Sequence, residues 1–140
     1  MPSPLDRLAA PGGPLKREPP DRTEFNGLMG SGRARLNDVA GAALSSEGRF
    51  DLLYNAAHAL CLAALRYRGF RPVNRYIVFQ VLPHTLGLGQ EVSRVLAKAH
   101  DARNLAEYRG EYAADERLLA DILAACKTIV AKLEILPPLP

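Results

Sequence analysis

The chain has 140 residues, 48% of them hydrophobic and 24% charged, with a formal net charge of +3. That length suits one domain with a single core, and the mild positive charge permits an anionic partner without demanding one. No apolar run reaches the about 18 residues of a membrane span and no apolar leader opens the chain, so a cytoplasmic protein with no membrane partner is expected.

Residues 1–20 carry PGGPLKREPP, with four prolines and two glycines, and are expected to form a flexible arm that contributes little to a core. The first helix is predicted to start near Asp21, where Asp21 and Glu24 have capping-box spacing. Phe25, Leu28, Met29, Gly32, Leu36, Val39 and Ala43 then recur at helical intervals. Gly27, Gly30 and Gly32 each cost roughly 1 kcal/mol against alanine in a helix interior, which implies either fraying or the close approach of another backbone.

Ser45-Ser46-Glu47-Gly48 breaks the chain and offers an N-cap. The second helix, about Arg49 to Arg68, is apolar nearly all round and is predicted to lie in the middle of a bundle. Gly69 and Pro72 end it. Residues 73–82 are rich in β-branched and aromatic side chains, yet a lone strand has nothing to pair with here. A short helix capped by Asn74 is therefore expected.

The third helix is predicted from about Gln90 to Arg109, stopping at Gly110. The fourth starts near Asp115 and ends before Pro137, with the cleanest 3.6-residue period in the chain, and residues 137–140 form a loose Pro-rich tail. The fold class is all-α: an up-and-down bundle of four main helices over residues 21–136, with a short extra helix between the second and third.

Cys61 and Cys126 lack ligand-type spacing and read as buried reduced thiols. His58, His84 and His100 share no metal-ligand spacing, and no glycine-rich phosphate loop or nucleophile elbow occurs, so neither a metal nor a cofactor is expected.

Three groups of residues remain that can carry chemistry. Between Asp51 and Glu91 there is no acidic residue, and 66-RYRGFRPVNRY-76 interleaves Arg66, Arg68, Arg71 and Arg75 with Tyr67, Phe70 and Tyr76. Guanidinium groups pair with phosphates and rings stack on bases, so the stretch suits single-stranded RNA. The same composition also suits a solubilising loop whose aromatics cap the core. Asn55 and His58, three residues apart on an apolar helix, read as a buried, hydrogen-bonded polar pair or as pocket residues. On the third helix Arg103 flanks the apolar stripe, with His100 one turn earlier and Asn104 four residues after that histidine. Arg103 there is either a snorkelling edge residue or part of a site.

The Tyr-Asn-Ala-Ala-His run at 54–58, and Arg103-Asn104-Leu-Ala-Glu-Tyr108 ahead of the last helix, resemble HEPN (higher eukaryotes and prokaryotes nucleotide-binding) domains, especially short stand-alone bacterial ones. The resemblance spans roughly residues 22–136. It implies a homodimer that binds RNA or a nucleotide, in a toxin–antitoxin or defence module beside a nucleotidyltransferase or antitoxin partner. Ribonuclease members cleave without metal by attack of a ribose 2′-hydroxyl, an arginine steadying the phosphorane and a histidine moving protons. Arg103 and Asn104 match the first two motif positions, but Tyr108 stands where that histidine belongs. A phenol is almost wholly protonated at neutral pH. The resemblance therefore implies a binding protein with weak or no nuclease activity through Arg103, Asn104 and Tyr108, with His100 as the nearby substitute. The alternatives are an active metal-independent endoribonuclease toxin and a protein-binding helical scaffold.

Overall fold

The computed structural model describes residues 2–41 and 43–140, so Met1 of the arm and Ala42, beside the predicted end of the first helix, lie outside the described residues. The fold is an all-α bundle. Its long helices are α2 (Arg22–Gly41), α3 (Ser46–Tyr67), α6 (Gln90–Arg109) and α7 (Glu116–Glu134); the short helices are α1 (Pro4–Leu8), α4 (Ile77–Gln80) and α5 (Leu82–Thr85). Strands β1 (Leu15–Arg17) and β2 (Phe70–Pro72) make a small antiparallel ribbon. No described helix is long and apolar enough to cross a membrane.

The caps follow local chemistry. Asp21 Oδ2 accepts the Glu24 N–H at 2.9 Å, Ser45 caps α3 through Gly48 N–H, and Asp115 caps α7 through Leu118 N–H. Asn74 Oδ1 accepts the Ile77 N–H at 3.0 Å ahead of α4, as its spacing predicts, although the segment forms two short helices, α4 and α5, instead of one. Gly110 ends α6 in the left-handed region at φ 66°.

Helix α3 is the hub. Ala56, Ala57, Ala63 and Ala64 are fully buried, and these short side chains let α2 and α7 pack closely against it. Gly32 shows why α2 carries glycine: a Cβ there would fall 2.6 Å from Leu60 Cγ, whereas Gly27 and Gly30 face open space. Of the two sequence explanations for these glycines, close approach operates at Gly32, but it is the Leu60 side chain and not a backbone that approaches. Cys61 and Cys126 are both buried free thiols, and burial pushes Cys126 up to about 12.

Residues 2–20 depart from expectation. They dock on the bundle instead of forming a flexible arm. Leu5 and Leu15 are buried in the core, and β1 pairs with β2 in the register Leu15↔Pro72 and Arg17↔Phe70. Gly69, at φ 89°, makes the turn that delivers β2 to this edge. The prolines before and after β1 disfavour helix there and keep the chain extended, so the strand needed only a partner. That partner lies more than fifty residues along the chain.

Candidate functional site

The arginine-rich stretch after α3 is held by counter-charges that come from the docked arm and from α2. Arg66, expected on an RNA-binding surface, is buried: its Nε donates to Glu24 Oε1 at 2.5 Å, and its other nitrogens donate to the Glu18, Pro19 and Phe70 carbonyls. Arg71 donates to both Glu18 and Glu24. Hydrogen bonds from Arg71 hold the Glu18 carboxyl below its ordinary range, and those from Arg66 do the same for Glu24. Arg68 donates to the Thr85 carbonyl and lies over the Tyr67 ring, while the Tyr67 hydroxyl donates to Pro137 O. The strip therefore does not present its arginines as one open basic surface. Arg66 and Arg71 are structural, because charges distant in sequence neutralise them in space.

Arg75 is different. It is exposed, its Nη2 donates to the Asn55 amide oxygen at 2.9 Å, and among the described residues it has no carboxylate partner. Its guanidinium stands 5.6 Å from the centre of the Tyr54 ring, and that of Arg103 stands 5.4 Å from the same ring. Asn55 also donates to the Asp51 carbonyl, one turn back on α3. Asn55 and His58 are thus not a buried, mutually bonded pair: both are half-buried, Asn55 binds Arg75, and His58 packs edge-on against Phe79.

Helices α3 and α6 and the loop before α4 together build one cluster around Tyr54. Tyr54 Oη lies 3.1 Å from His100 Nδ1, and the His100 ring stacks on Tyr76 with centroids 4.6 Å apart. Burial raises the Tyr54 pKa, so the phenol keeps its proton; burial, and then Arg103, lower that of His100. We therefore assign the phenol as donor to Nδ1, which leaves the neutral imidazole proton on Nε2. Burial lowers His58 to about 4, with Arg75, Arg103 and His100 adding to the effect. Two guanidinium groups thus share a face with two neutral imidazoles. The acidic side chain bonded to either arginine is Glu107, which Arg103 reaches at 2.8 Å one turn along α6.

Of the Arg103-Asn104-Tyr108 motif, only Arg103 enters this cluster. Asn104 and Tyr108 line an adjoining groove of about 460 Å³ with Asp101, Leu105 and Arg109, where Tyr108 is 79% exposed. A larger groove, about 640 Å³, lies beneath the docked arm. Asp6, Arg17 and Glu18 are committed in Asp6–Arg17 and Glu18–Arg71 pairs and Arg68 donates to the Thr85 carbonyl, so this groove offers a ligand less than the Tyr54 cluster does. Sequence reasoning placed His100 and Arg103 together because they are one turn apart. It missed Tyr54 as the shared platform, although Tyr54 and His58 are also one turn apart on α3. Comparison of the chain with family models, curated proteins and solved structures found no match.

Proposed function

We propose that the protein binds the phosphates of RNA or of a nucleotide at the Tyr54 cluster, with Arg75 and Arg103 as the gripping groups. The observation that carries the reading is the pair of guanidinium groups within 5.4 and 5.6 Å of one ring centre, Arg75 with an amide as its side-chain partner. Both positive charges lie beside the same ring, so an anion that docks at its edge is attracted by both. The neutral imidazoles add donors without adding charge. The resemblance to HEPN domains fits this reading, as does a homodimer working beside a nucleotidyltransferase or antitoxin partner; Asn104 and Tyr108 would then meet the next part of a bound strand.

Fluorescence anisotropy with short single-stranded RNAs tests the proposal. Wild type should bind at low salt, and Arg75→Ala and Arg103→Ala should each weaken binding by about ten-fold or more, the loss expected for a charge-assisted contact. Unchanged affinity in both variants would remove the site.

A metal-independent endoribonuclease is the second reading. It is favoured by His100, whose Nδ1 is fixed by Tyr54 and which lies three residues before Arg103. For that role His100 takes the other tautomer, its Nδ1–H donating to Tyr54 Oη, so that Nε2 can accept a proton from a ribose 2′-hydroxyl while an arginine stabilises the phosphorane. Cleavage of a structured RNA in excess chelator, abolished by His100→Gln and by Arg103→Ala, would establish it. Intact RNA after hours with wild type would leave the binding reading alone.

A further inference from the structure

We infer that the groove beside Tyr76 is a nucleobase subsite adjoining the phosphate-binding cluster, an inference that rests on the phosphate-binding reading above. Tyr76 belongs to both places. Its ring stacks on His100 within the cluster, and it also lines a groove of about 310 Å³ with Gln80, Gln90, Ser93 and Arg94. A space of that order falls at the small end of ligand-binding pockets. The geometry supplies the three things a base needs beside its phosphate.

The first is a flat surface: Tyr76 is half-buried and is braced by His100 on one side and by Phe79 edge-on, so it stacks at little cost in side-chain freedom. The second is edge recognition. Gln80 and Gln90 are exposed and make no side-chain hydrogen bond among the described residues, so each amide is free to give a donor and an acceptor to a base edge. Ser93 differs, since its hydroxyl donates to the Phe79 carbonyl at 3.3 Å and fixes α4 against α6. The third is charge continuity. Arg94 is exposed, has no ion pair among the described residues, and stands on α6 ahead of His100 and Arg103. A strand whose phosphate lies between Arg75 and Arg103 can thus place its neighbouring base on Tyr76 and its next phosphate toward Arg94. The ligand class is a single-stranded oligonucleotide whose base is unpaired.

The test is anisotropy with two labelled single-stranded oligonucleotides of equal length, one with bases and one with stable abasic residues. Wild type should bind the first about ten-fold more tightly than the second, the difference expected for one stacked base. Tyr76→Ala should bring the first down to the affinity of the second, and Tyr76→Phe should keep the preference. Gln80→Ala, at an exposed position, should change the ranking among homopolymers of the four bases and leave abasic binding as it was. Equal binding of both oligonucleotides by wild type, with Arg103→Ala weakening both, would overturn the base subsite and leave the phosphate site standing. No binding of either, or binding of both that is insensitive to Arg103→Ala and Arg75→Ala, would overturn the phosphate reading and the base subsite with it.

Discussion

Glu24 of α2 and Arg66 of α3 meet at 2.5 Å, and the guanidinium of that pair is only 1% exposed. Glu24 occupies the third position after the Asp21 cap, where a capping box would turn its carboxylate back to the cap. It turns outward to Arg66 and Arg71 instead. A buried guanidinium is strongly destabilising once its partner is lost. Glu24→Ala should therefore lower the unfolding free energy by about 3 kcal/mol, the low end for a broken buried pair because Glu18 and three carbonyls remain. Deleting residues 2–20 should cost more, since it also removes Glu18, the Pro19 carbonyl and the buried Leu5 and Leu15. Urea denaturation checks both. A neutral deletion would contradict the docked arm.

Gly27, Gly30 and Gly32 look alike in sequence and should behave oppositely. Gly32→Ala sets a Cβ 2.6 Å from Leu60, a fully buried neighbour with nowhere to retreat, and should cost about 1–3 kcal/mol. Gly27→Ala and Gly30→Ala meet open space on a helix and should each stabilise by up to about 1 kcal/mol. Thermal denaturation of the three variants separates them directly.

That contrast marks what could be read in advance. The long helices α3, α6 and α7 were legible because their signals are local: an apolar period, Ser45 and Asp115 as caps, Gly110 as a stop. The ribbon was not, because β1 has three residues and its pairing energy comes from β2, far along the chain. Arg66 and Arg71 of the basic strip differ from expectation for the same reason. Counting charges along the chain finds no acid near Arg66, yet Glu24 reaches it across 42 residues. The site divides likewise. His100 and Arg103 share a helix turn and could be paired from spacing; Arg75 and Tyr54 meet only when the loop before α4 folds over α3.

The histidines should make the fold acid-sensitive in a defined window. His58 titrates near 6.5 when unfolded and near about 4 when folded, so between those values the unfolded chain binds more protons. Stability is then at its full value above the unfolded pKa and falls as pH drops toward 4, by up to about 2 kcal/mol from about pH 7 to about pH 5. His100, also lowered, acts in the same direction. The lowered carboxylates Glu18 and Glu24 also lose stability in acid, but below their ordinary values, so the upper part of the window belongs to histidine. His58→Gln should flatten the slope of urea stability between pH 7 and pH 5. Conversely, Arg103→Ala removes a positive charge that lowers both imidazoles, and NMR titration should show both pKa values rising.

Salt dependence should reveal how many arginines grip phosphate. Each guanidinium that neutralises a phosphate releases condensed counterions, so its loss reduces the slope of log affinity against log salt by about 0.7 for a single strand. Arg75→Ala and Arg103→Ala should each reduce the slope by about that amount, and the double variant by about twice as much. Tyr54→Phe keeps both charges and the ring beneath them, but deletes the hydroxyl that faces His100 Nδ1. It should leave the slope unchanged while shifting the His100 titration upward, because the neutral imidazole loses its donor. Arg66→Ala provides no such reading, since its charge is buried against Glu24 and its loss disturbs the fold first. Lys127→Ala, on α7 where it faces Arg33 and Asn37 of α2 across a separate groove, serves as the charge control and should leave the slope as in wild type. If Lys127→Ala lowers the slope as much as Arg103→Ala does, binding is diffuse electrostatics over the whole surface and the Tyr54 cluster has no special part in it.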